Sequence, residues 1–162
     1  MPLLILSLGS NLEPRINIPL AVESLRRKFG KLSLSRVYES EAIGFKGDNF
    51  LNLVASVECN VPLGEIQSYL KLLEDLMGRD RDMPRFSDRV IDIDILLYGD
   101  SKGEQCGLSL PRSEILSSAF VLCPLAELHP KMKYCPLNLS FEELWDNFDK
   151  TEQKLWAIDF CF

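Results

Sequence analysis

Two carboxylates interrupt the most apolar run of the chain, and together they could hold a metal ion. Asp92 and Asp94 lie within residues 89–98, a run rich in β-branched residues that contains no Gly or Pro. This composition predicts a central β-strand that is buried on at least one face. Side chains alternate across a strand, so the two aspartates share a face, with Cα atoms roughly 6.5–7 Å apart.

Two acids in a buried strand repel each other and resist desolvation, so a cation is expected between them. A hard divalent cation with oxygen ligands is the simplest candidate. The alternative is the solvated face of an edge strand, which the flanking Ile and Leu residues disfavour.

Several arginines come just before this run. They are Arg79, Arg81, Arg85 and Arg89. Taken alone, this stretch is typical of a charged surface loop, balanced by Asp80, Asp82 and Asp88. Beside a carboxylate pair, the better interpretation is contact with an anion that the metal also binds, namely a phosphate ester of a nucleotide.

Three phenylalanines stand in or next to predicted loops. They are Phe50, Phe86 and Phe120. Ordinary core packing is the simpler explanation for each of them. However, Asn52 follows Phe50 by two residues, so the two share a face in a strand. An aromatic ring and an amide on one face can stack on a flat heterocycle and form hydrogen bonds with its edge.

The sequence Gly9-Ser10-Asn11 follows the first apolar run and resembles a phosphate-binding turn. It has neither the GxxxxGK[ST] pattern nor GxGxxG, so we interpret it differently. We expect a turn from strand to helix, in which Ser10 and Asn11 brace neighbouring loops.

Composition limits the classes of function. The 162 residues suit one domain, which we predict to span residues 1–162. A net charge of −6 argues against binding to nucleic acid, which usually needs a basic face. Five cysteines with no CxxC pattern, and a single histidine, make a zinc site improbable and suggest free thiols in a reducing cytoplasm. The N-terminus lacks the features of a signal peptide and is too short an apolar segment to span a membrane. We therefore predict a cytosolic protein that is not bound to a membrane.

The order of predicted elements supplies a frame for these residues. Apolar periodicity predicts strand, helix, strand, strand, helix, strand, which is the ferredoxin-like βαββαβ core of an α+β fold. Its antiparallel sheet would be flanked by helices. Two long loops, residues 41–49 and 79–88, are candidates for lids. The predicted core elements are residues 3–8, a helix ending near Gly30, and residues 31–40, 50–58, 62–77 and 89–98. Beyond them, we predict that residues 120–128 pack on the core, that Ser140 opens a short helix, and that residues 154–162 add a strand or cover an edge.

The pattern Arg89-x-x-Asp92-x-Asp94-Ile95-Leu96 resembles the signature of the 6-hydroxymethyl-7,8-dihydropterin pyrophosphokinase family of the folate pathway. The resemblance extends over about residues 3–130. Further similar stretches are Leu8-Gly9-Ser10-Asn11-Leu12, Tyr38 with the loop through Ile43-Gly44, Phe50-Leu51-Asn52, residues 74–81, and Cys123-Pro124-Leu125.

This resemblance implies transfer of pyrophosphate from ATP to the hydroxymethyl group of a reduced pterin, with release of AMP. It implies that Asp92 and Asp94 hold two Mg²⁺ ions and that Arg79, Arg81 and Arg89 act on the phosphates from a mobile loop. Either the metal would lower the barrier at the hydroxyl group, or Asp94 would accept its proton. The implied pterin site consists of Ser40, Ile43, Phe50, Asn52, Phe86 and Phe120. The implied ATP site consists of Glu74, Arg81, Arg89, Ile95, Leu108, Ser109 and Arg112. We expect a monomer.

The chain departs from the family pattern at the phosphate end. Ser87-Asp88 precedes Arg89 where the family has Gly and Pro, and an extra acid there weakens the local positive field. Arg112 and Ser113 stand in place of a family histidine and its neighbour, and Ser118 in place of an arginine. Two alternatives therefore remain open. One is a diverged homologue that binds pterin or nucleotide without efficient transfer, and the other is an unrelated ferredoxin-like binding module with a structural cation site.

Overall fold

A computed structural model describes residues 1–42, 44–83 and 87–162 of the protein. The first part of the chain has the predicted order of elements. In chain order these are β1 (Leu3–Ser10), α1 (Pro14–Phe29), β2 (Ser33–Leu34), β3 (Val37–Ser40), β4 (Phe50–Glu58), α2 (Leu63–Leu76) and β5 (Asp92–Tyr98). The second part is β6 (Gly103–Gln105), β7 (Leu108–Leu110), α3 (Glu114–Ser117), α4 (Ala119–Leu128), β8 (Lys133–Tyr134), β9 (Leu139–Ser140), α5 (Phe141–Asp146) and β10 (Leu155–Ile158).

The main sheet has the strand order β10-β3-β4-β1-β5, and each neighbouring pair is antiparallel. The short strand β2 also pairs with β4. The order β3-β4-β1-β5, with a helix after β1 and another after β4, is that of the ferredoxin-like fold. The predicted α+β class is therefore confirmed, and the predicted C-terminal strand is present as β10.

Strand β5 lies at the edge of the sheet, so the prediction of a central strand was wrong. Within the described residues its only pairing is with β1. The apolar composition has another cause, because both faces of the strand are covered. Ile93 and Ile95 are buried in the cluster that includes α1 and α2, whereas Leu96 is buried in the cluster that includes α4.

Three neighbouring strands share one pattern on the face that α4 covers. Ile5, Val54 and Leu96 are buried on this face against residues of α4. Residues two and four positions away along each strand, towards its other end, are polar, small or aromatic instead. They are Ser7 and Gly9 of β1, Asn52 and Phe50 of β4, and Asp94 and Asp92 of β5. Apolar residues thus anchor α4 over one half of the face, and the other half is left for a site.

Several element boundaries differ from the prediction, and β5 begins at Asp92 instead of Arg89. Strand β1 continues through Gly9 and Ser10, which pair with Asn52 and Leu51 of β4, so Gly9-Ser10 is not a turn. The single strand predicted over residues 31–40 is divided into β2 and β3. The hydroxyl of Ser35, between the two, accepts a hydrogen bond of 2.9 Å from the backbone N–H of Val54, which interrupts the regular pairing.

All five cysteines are free thiols, as predicted. No helix in the described parts of the chain is both long and apolar enough to cross a membrane.

Candidate active site

A cavity of about 530 Å³ opens on the half of the sheet face that α4 leaves uncovered. Its floor contains Ser7 and Gly9 of β1, Asn52 of β4, and Asp92 and Asp94 of β5. Gly9 is paired with Asn52 on one side and with Asp92 on the other. The strand pairing therefore brings the predicted pterin residue and the predicted metal residues to the same floor.

Many predicted site residues line this cavity, but some do not. Those that line it are Ser40, Phe50, Asn52, Arg79, Arg89, Asp92, Asp94, Arg112 and Phe120. Those that do not are Glu74, Arg81, Ile95, Leu108 and Ser109. Ile43, Arg85 and Phe86 lie outside the described residues.

The aromatic end of the cavity is ordered around Asn52. This side chain is buried, and its Nδ2 donates a hydrogen bond of 2.9 Å to Oγ of Ser40 on the neighbouring strand. Phe50 is on the same face of β4, and Phe120 reaches the cavity from the first turn of α4. A flat ring could lie at this end with an amide at its edge.

The carboxylate end carries two arginines close to the two aspartates. Nη1 of Arg79 lies 3.1 Å from Oδ1 of Asp92, and Nη2 of Arg112 lies 3.8 Å from Oδ1 of Asp94. The aspartate side chains are 40% and 44% exposed, so the prediction that they are buried was wrong; they face the cavity instead. Desolvation and then the charge of Asp92 raise the pKa of Asp94 to about 7, although Arg112 opposes this rise.

Glu74 lies behind the arginines and not in the cavity. Its Oε2 accepts a hydrogen bond of 2.9 Å from the backbone N–H of Ile93 and lies 3.5 Å from Nη1 of Arg79. Its Oε1 lies 3.3 Å from Nη2 of Arg81. Burial raises the pKa of Glu74, and the N–H of Ile93 opposes this rise. Glu74 thus ties the start of the 79–88 loop to strand β5.

Arg89 is buried at the entry to β5. Its guanidinium donates hydrogen bonds to the hydroxyl of Ser87 and to the carbonyl of Asp88. Burial, and then the charge of Arg79, lower the pKa of Arg89. The backbone of Arg89 is held separately, because its N–H donates to Oδ1 of Asn11 at 2.7 Å and its carbonyl accepts from the N–H of Asn11 at 3.1 Å.

The bracing role that was predicted for Asn11 is confirmed. Its Nδ2 donates to the carbonyl of Asp48 at 3.1 Å and to Oδ1 of Asp88 at 2.7 Å. One side chain therefore joins the 41–49 loop to the 79–88 loop. The carboxylate of Asp88, which was expected to weaken the field around Arg89, is held by Asn11, and Asp88 does not line the cavity.

Two carboxylates are few for a metal site made by protein alone. In the described part of the chain, no group of three or more His, Cys, Asp or Glu residues could hold a metal ion. Mg²⁺ typically binds through one or two carboxylates together with substrate phosphates and water. Asp92 and Asp94, facing an open cavity, fit an ion of this kind that arrives with a nucleotide.

Some cavity residues were missed at the sequence level. Ser7 and Gly9 could have been found, because they alternate with Ile5 once β1 is extended to Ser10. Phe45 packs edge-on against Phe50, with ring centroids 6.3 Å apart. Phe45 lies in a loop, where no period of apolar residues indicates which way a side chain points. Gln153 is far in sequence from the other cavity residues, and no motif indicated that it lines the cavity.

The chain matches the family described as 7,8-dihydro-6-hydroxymethylpterin-pyrophosphokinase (HPPK) over residues 5–130. It belongs to the HPPK family. Similar curated proteins include the 2-amino-4-hydroxy-6-hydroxymethyldihydropteridine pyrophosphokinase of Pseudomonas aeruginosa, which is 34% identical over 131 residues, or 78% of this chain and 80% of that protein. The protein of the same name from Aquifex aeolicus is 36% identical over 129 residues, with the same two coverages. Membership in the HPPK family excludes an unrelated ferredoxin-like module.

Solved structures support the same fold. The wild-type HPPK-DHPS of Plasmodium falciparum aligns with a TM-score of 0.68 at 19% identity over 90% of this chain. This chain spans only 43% of that longer protein, so the similarity concerns the fold of one part of the Plasmodium protein.

Proposed function

We propose that this HPPK-family protein transfers the pyrophosphate group of ATP to the hydroxymethyl group of 6-hydroxymethyl-7,8-dihydropterin in folate biosynthesis, releasing AMP. Its curated relatives carry the name of this enzyme, and it spans 80% of the length of two of them. The observation that carries the proposal is that the aromatic and amide residues and the carboxylate and arginine residues line adjoining ends of one cavity. Two substrates that react together need such adjoining sites.

At the aromatic end, we assign the pterin to the space between Phe50 and Phe120. Asn52 would form hydrogen bonds with the polar edge of the pterin. The bond from Asn52 to Ser40 fixes the orientation of the amide, so its remaining donor and acceptor are directed before the substrate arrives. By resemblance to the family, Ile43 and Phe86 would also belong to this site.

At the other end, Asp92 and Asp94 would hold two Mg²⁺ ions together with the ATP phosphates. The bound Mg²⁺ supplies charge neutralisation and orientation of the phosphates. Arg79 and Arg112 lie next to these carboxylates, and this position supports contact of both guanidinium groups with phosphate oxygens. Arg89 adds a third positive charge at the cavity wall.

Phosphoryl-group transfer asks for position and charge stabilisation more than for covalent chemistry from the protein. The sheet supplies the position, because strand pairing fixes Asn52, Gly9 and Asp92 side by side. The arginines supply charge at one end. Closure of the two loops joined by Asn11 would exclude water from the reacting groups.

Contacts of ATP with Glu74, Arg81, Ile95, Leu108 and Ser109 remain predictions. Leu108 packs at the edge of the α1–α2 cluster and Ile95 is buried within it, on the opposite face of β5 from Asp94. We also still predict that the protein is a monomer with one domain, that it is cytoplasmic, and that it binds no nucleic acid. The alternative of a diverged homologue without efficient transfer is not favoured, because relatives at 34% and 36% identity carry the enzyme's name.

A coupled assay for AMP formation from ATP, Mg²⁺ and the hydroxymethyl pterin tests this proposal, with quenching of protein fluorescence as the measure of pterin binding. We expect AMP only when both substrates are present. Asp94→Ala should abolish turnover but change pterin affinity much less, because the metal serves the phosphates. Pterin binding without AMP formation by the unmodified protein would favour the diverged homologue.

A further inference from the structure

Gln153 bridges the joint between α3 and α4 at the wall of the main cavity. Its Nε2 donates a hydrogen bond of 2.8 Å to the carbonyl of Ser117, the last residue of α3. Its Oε1 accepts one of 2.9 Å from the N–H of Ala119, the first residue of α4. The residue between them, Ser118, has extended backbone (φ −117°, ψ 115°). The amide of Gln153 therefore closes the joint as a backbone peptide group would.

This bridge replaces a cap that α4 does not have. The first N–H groups of a helix find no acceptor within the helix, and a side chain at the N-cap position usually accepts from one of them. Ser118 is the N-cap of α4 but makes no hydrogen bond of this kind. The N–H of Ala119 is satisfied by Gln153 instead, which fixes the direction in which α4 leaves the joint.

Phe120 is the next residue, and its ring lines the cavity. Phe120 and Gln153 also line a second cavity of about 210 Å³, so the ring borders open space on more than one side. Close packing is what normally holds a core side chain in one place. Here the hydrogen bonds of Gln153 to the backbone on either side of Ser118 contribute that constraint.

The same C-terminal segment also supports the opposite wall. Leu155, two residues after Gln153, is paired with Ser40 where β10 meets β3. Ser40 in turn holds Asn52. The backbone next to both proposed pterin walls is therefore held by residues 153–155, which lie beyond the 5–130 range of the family match.

We propose that Gln153 is a positioning residue, which holds Phe120 opposite Phe50 and thereby sets the affinity of the site for a flat heterocycle such as the pterin. The inference rests on the proposed function. Gln153 acts through the α3–α4 joint, and contact with the substrate is not required of it.

The test uses Gln153→Met, which keeps the length of the side chain and removes both hydrogen bonds. Gln67→Met is the matched control, because Gln67 is a partly exposed glutamine of α2 that lines neither cavity. For Gln153→Met we expect KM for the pterin to rise about tenfold, as loss of one or two hydrogen bonds would cause, with KM for ATP within about twofold of wild type. The control should leave both values unchanged.

Gln153→Glu supplies the rescue, because its carboxylate can still accept from Ala119 and suits a helix N-terminus. It cannot donate to the carbonyl of Ser117, so we expect a KM for the pterin between those of wild type and Gln153→Met. If the Met variant does not fold, a rise of about threefold in KM for the pterin alone in Gln153→Glu would support the inference, and wild-type values of both KM would overturn it. A lowered Tm with both KM values unchanged, or an equal rise of both, would overturn the inference. Failure of the proposed function looks different, because the unmodified protein would then form no AMP, while pterin quenching would still compare the variants.

Discussion

Gly9 lies so close to Asn52 that a Cβ atom on residue 9 would stand 2.8 Å from Oδ1 of Asn52. Real Cβ atoms essentially never approach another heavy atom so closely, so one of the two groups would have to move. Gly9 is also the residue between Asn52 and Asp92 in the sheet. The absence of a side chain at this position thus lets the amide of Asn52, at the aromatic end of the cavity, lie directly beside the carboxylate end.

Gly9→Ala should therefore displace Asn52 and weaken its bond to Ser40. We expect KM for the pterin to rise by about tenfold, since disturbing a buried hydrogen bond costs about 1–2 kcal/mol. Gly64→Ala is the control, because a Cβ there meets only Sγ of Cys106 at 3.6 Å, an ordinary contact. Steady-state kinetics with each substrate varied in turn would check this. An unchanged KM for the pterin in Gly9→Ala would show that Asn52 does not form hydrogen bonds with the pterin.

Asn11→Ala should loosen both loops at once. Asn11 is buried and joins Asp48, Asp88 and the backbone of Arg89 by hydrogen bonds. Groups that lose partners in this way typically cost about 1–3 kcal/mol of unfolding free energy, and we also expect kcat to fall. The side chain of Asn17 is partly exposed and, within the described residues, forms one hydrogen bond, to the carbonyl of Leu12, so Asn17→Ala is the control. Denaturant unfolding and kcat are the measurements. A wild-type kcat in Asn11→Ala would show that the hydrogen bonds of Asn11 to the two loops are not needed for catalysis.

Arg89→Ala should lower turnover strongly with little loss of stability. The bonds from Asn11 are to the backbone of Arg89 and survive the substitution. Burial already lowers the pKa of the guanidinium, so removing its charge relieves a desolvation cost. Arg27→Ala, at a side chain that is 79% exposed, is the control. If Arg89→Ala kept wild-type turnover, Arg89 would not belong to the site.

Asp94→Asn should stabilise the metal-free protein as pH rises, even though it removes turnover. The pKa of Asp94 is raised to about 7 in the folded protein, above its ordinary value near 4. The folded state therefore keeps a proton that the unfolded state has lost between about pH 4 and pH 7, and wild-type stability falls across that window. An asparagine does not titrate, so its advantage over wild type should grow from pH 4 to pH 8.

The advantage should reach about 1 kcal/mol and no more, because the side chain is 44% exposed and solvent screens its charge. Thermal unfolding with a chelator at pH 4, 6 and 8 measures it. A difference in Tm between the two proteins that does not change with pH would mean that Asp94 titrates normally.

The sequence was enough to predict the elements of the core, but it did not show which strand lies at the edge of the sheet. The period of apolar residues identified α1 and α2, because each helix buries one face, and short apolar runs identified the strands. Strand β5 was misplaced because an edge strand covered by helices on both faces has the same apolar composition as a central one. The site followed partly from residue types, as with Asp92 and Asp94. Gln153 could not be predicted, because its role depends on a contact 34 residues away along the chain.

The most direct test of the account is the mass of the pterin product, measured together with the nucleotide that is released. We predict that the hydroxymethyl pterin gains one pyrophosphoryl group for each AMP formed, and that this product disappears in Asp94→Ala. A pterin that gains a single phosphoryl group with release of ADP, or a pterin that binds and remains unmodified, would contradict the central claim.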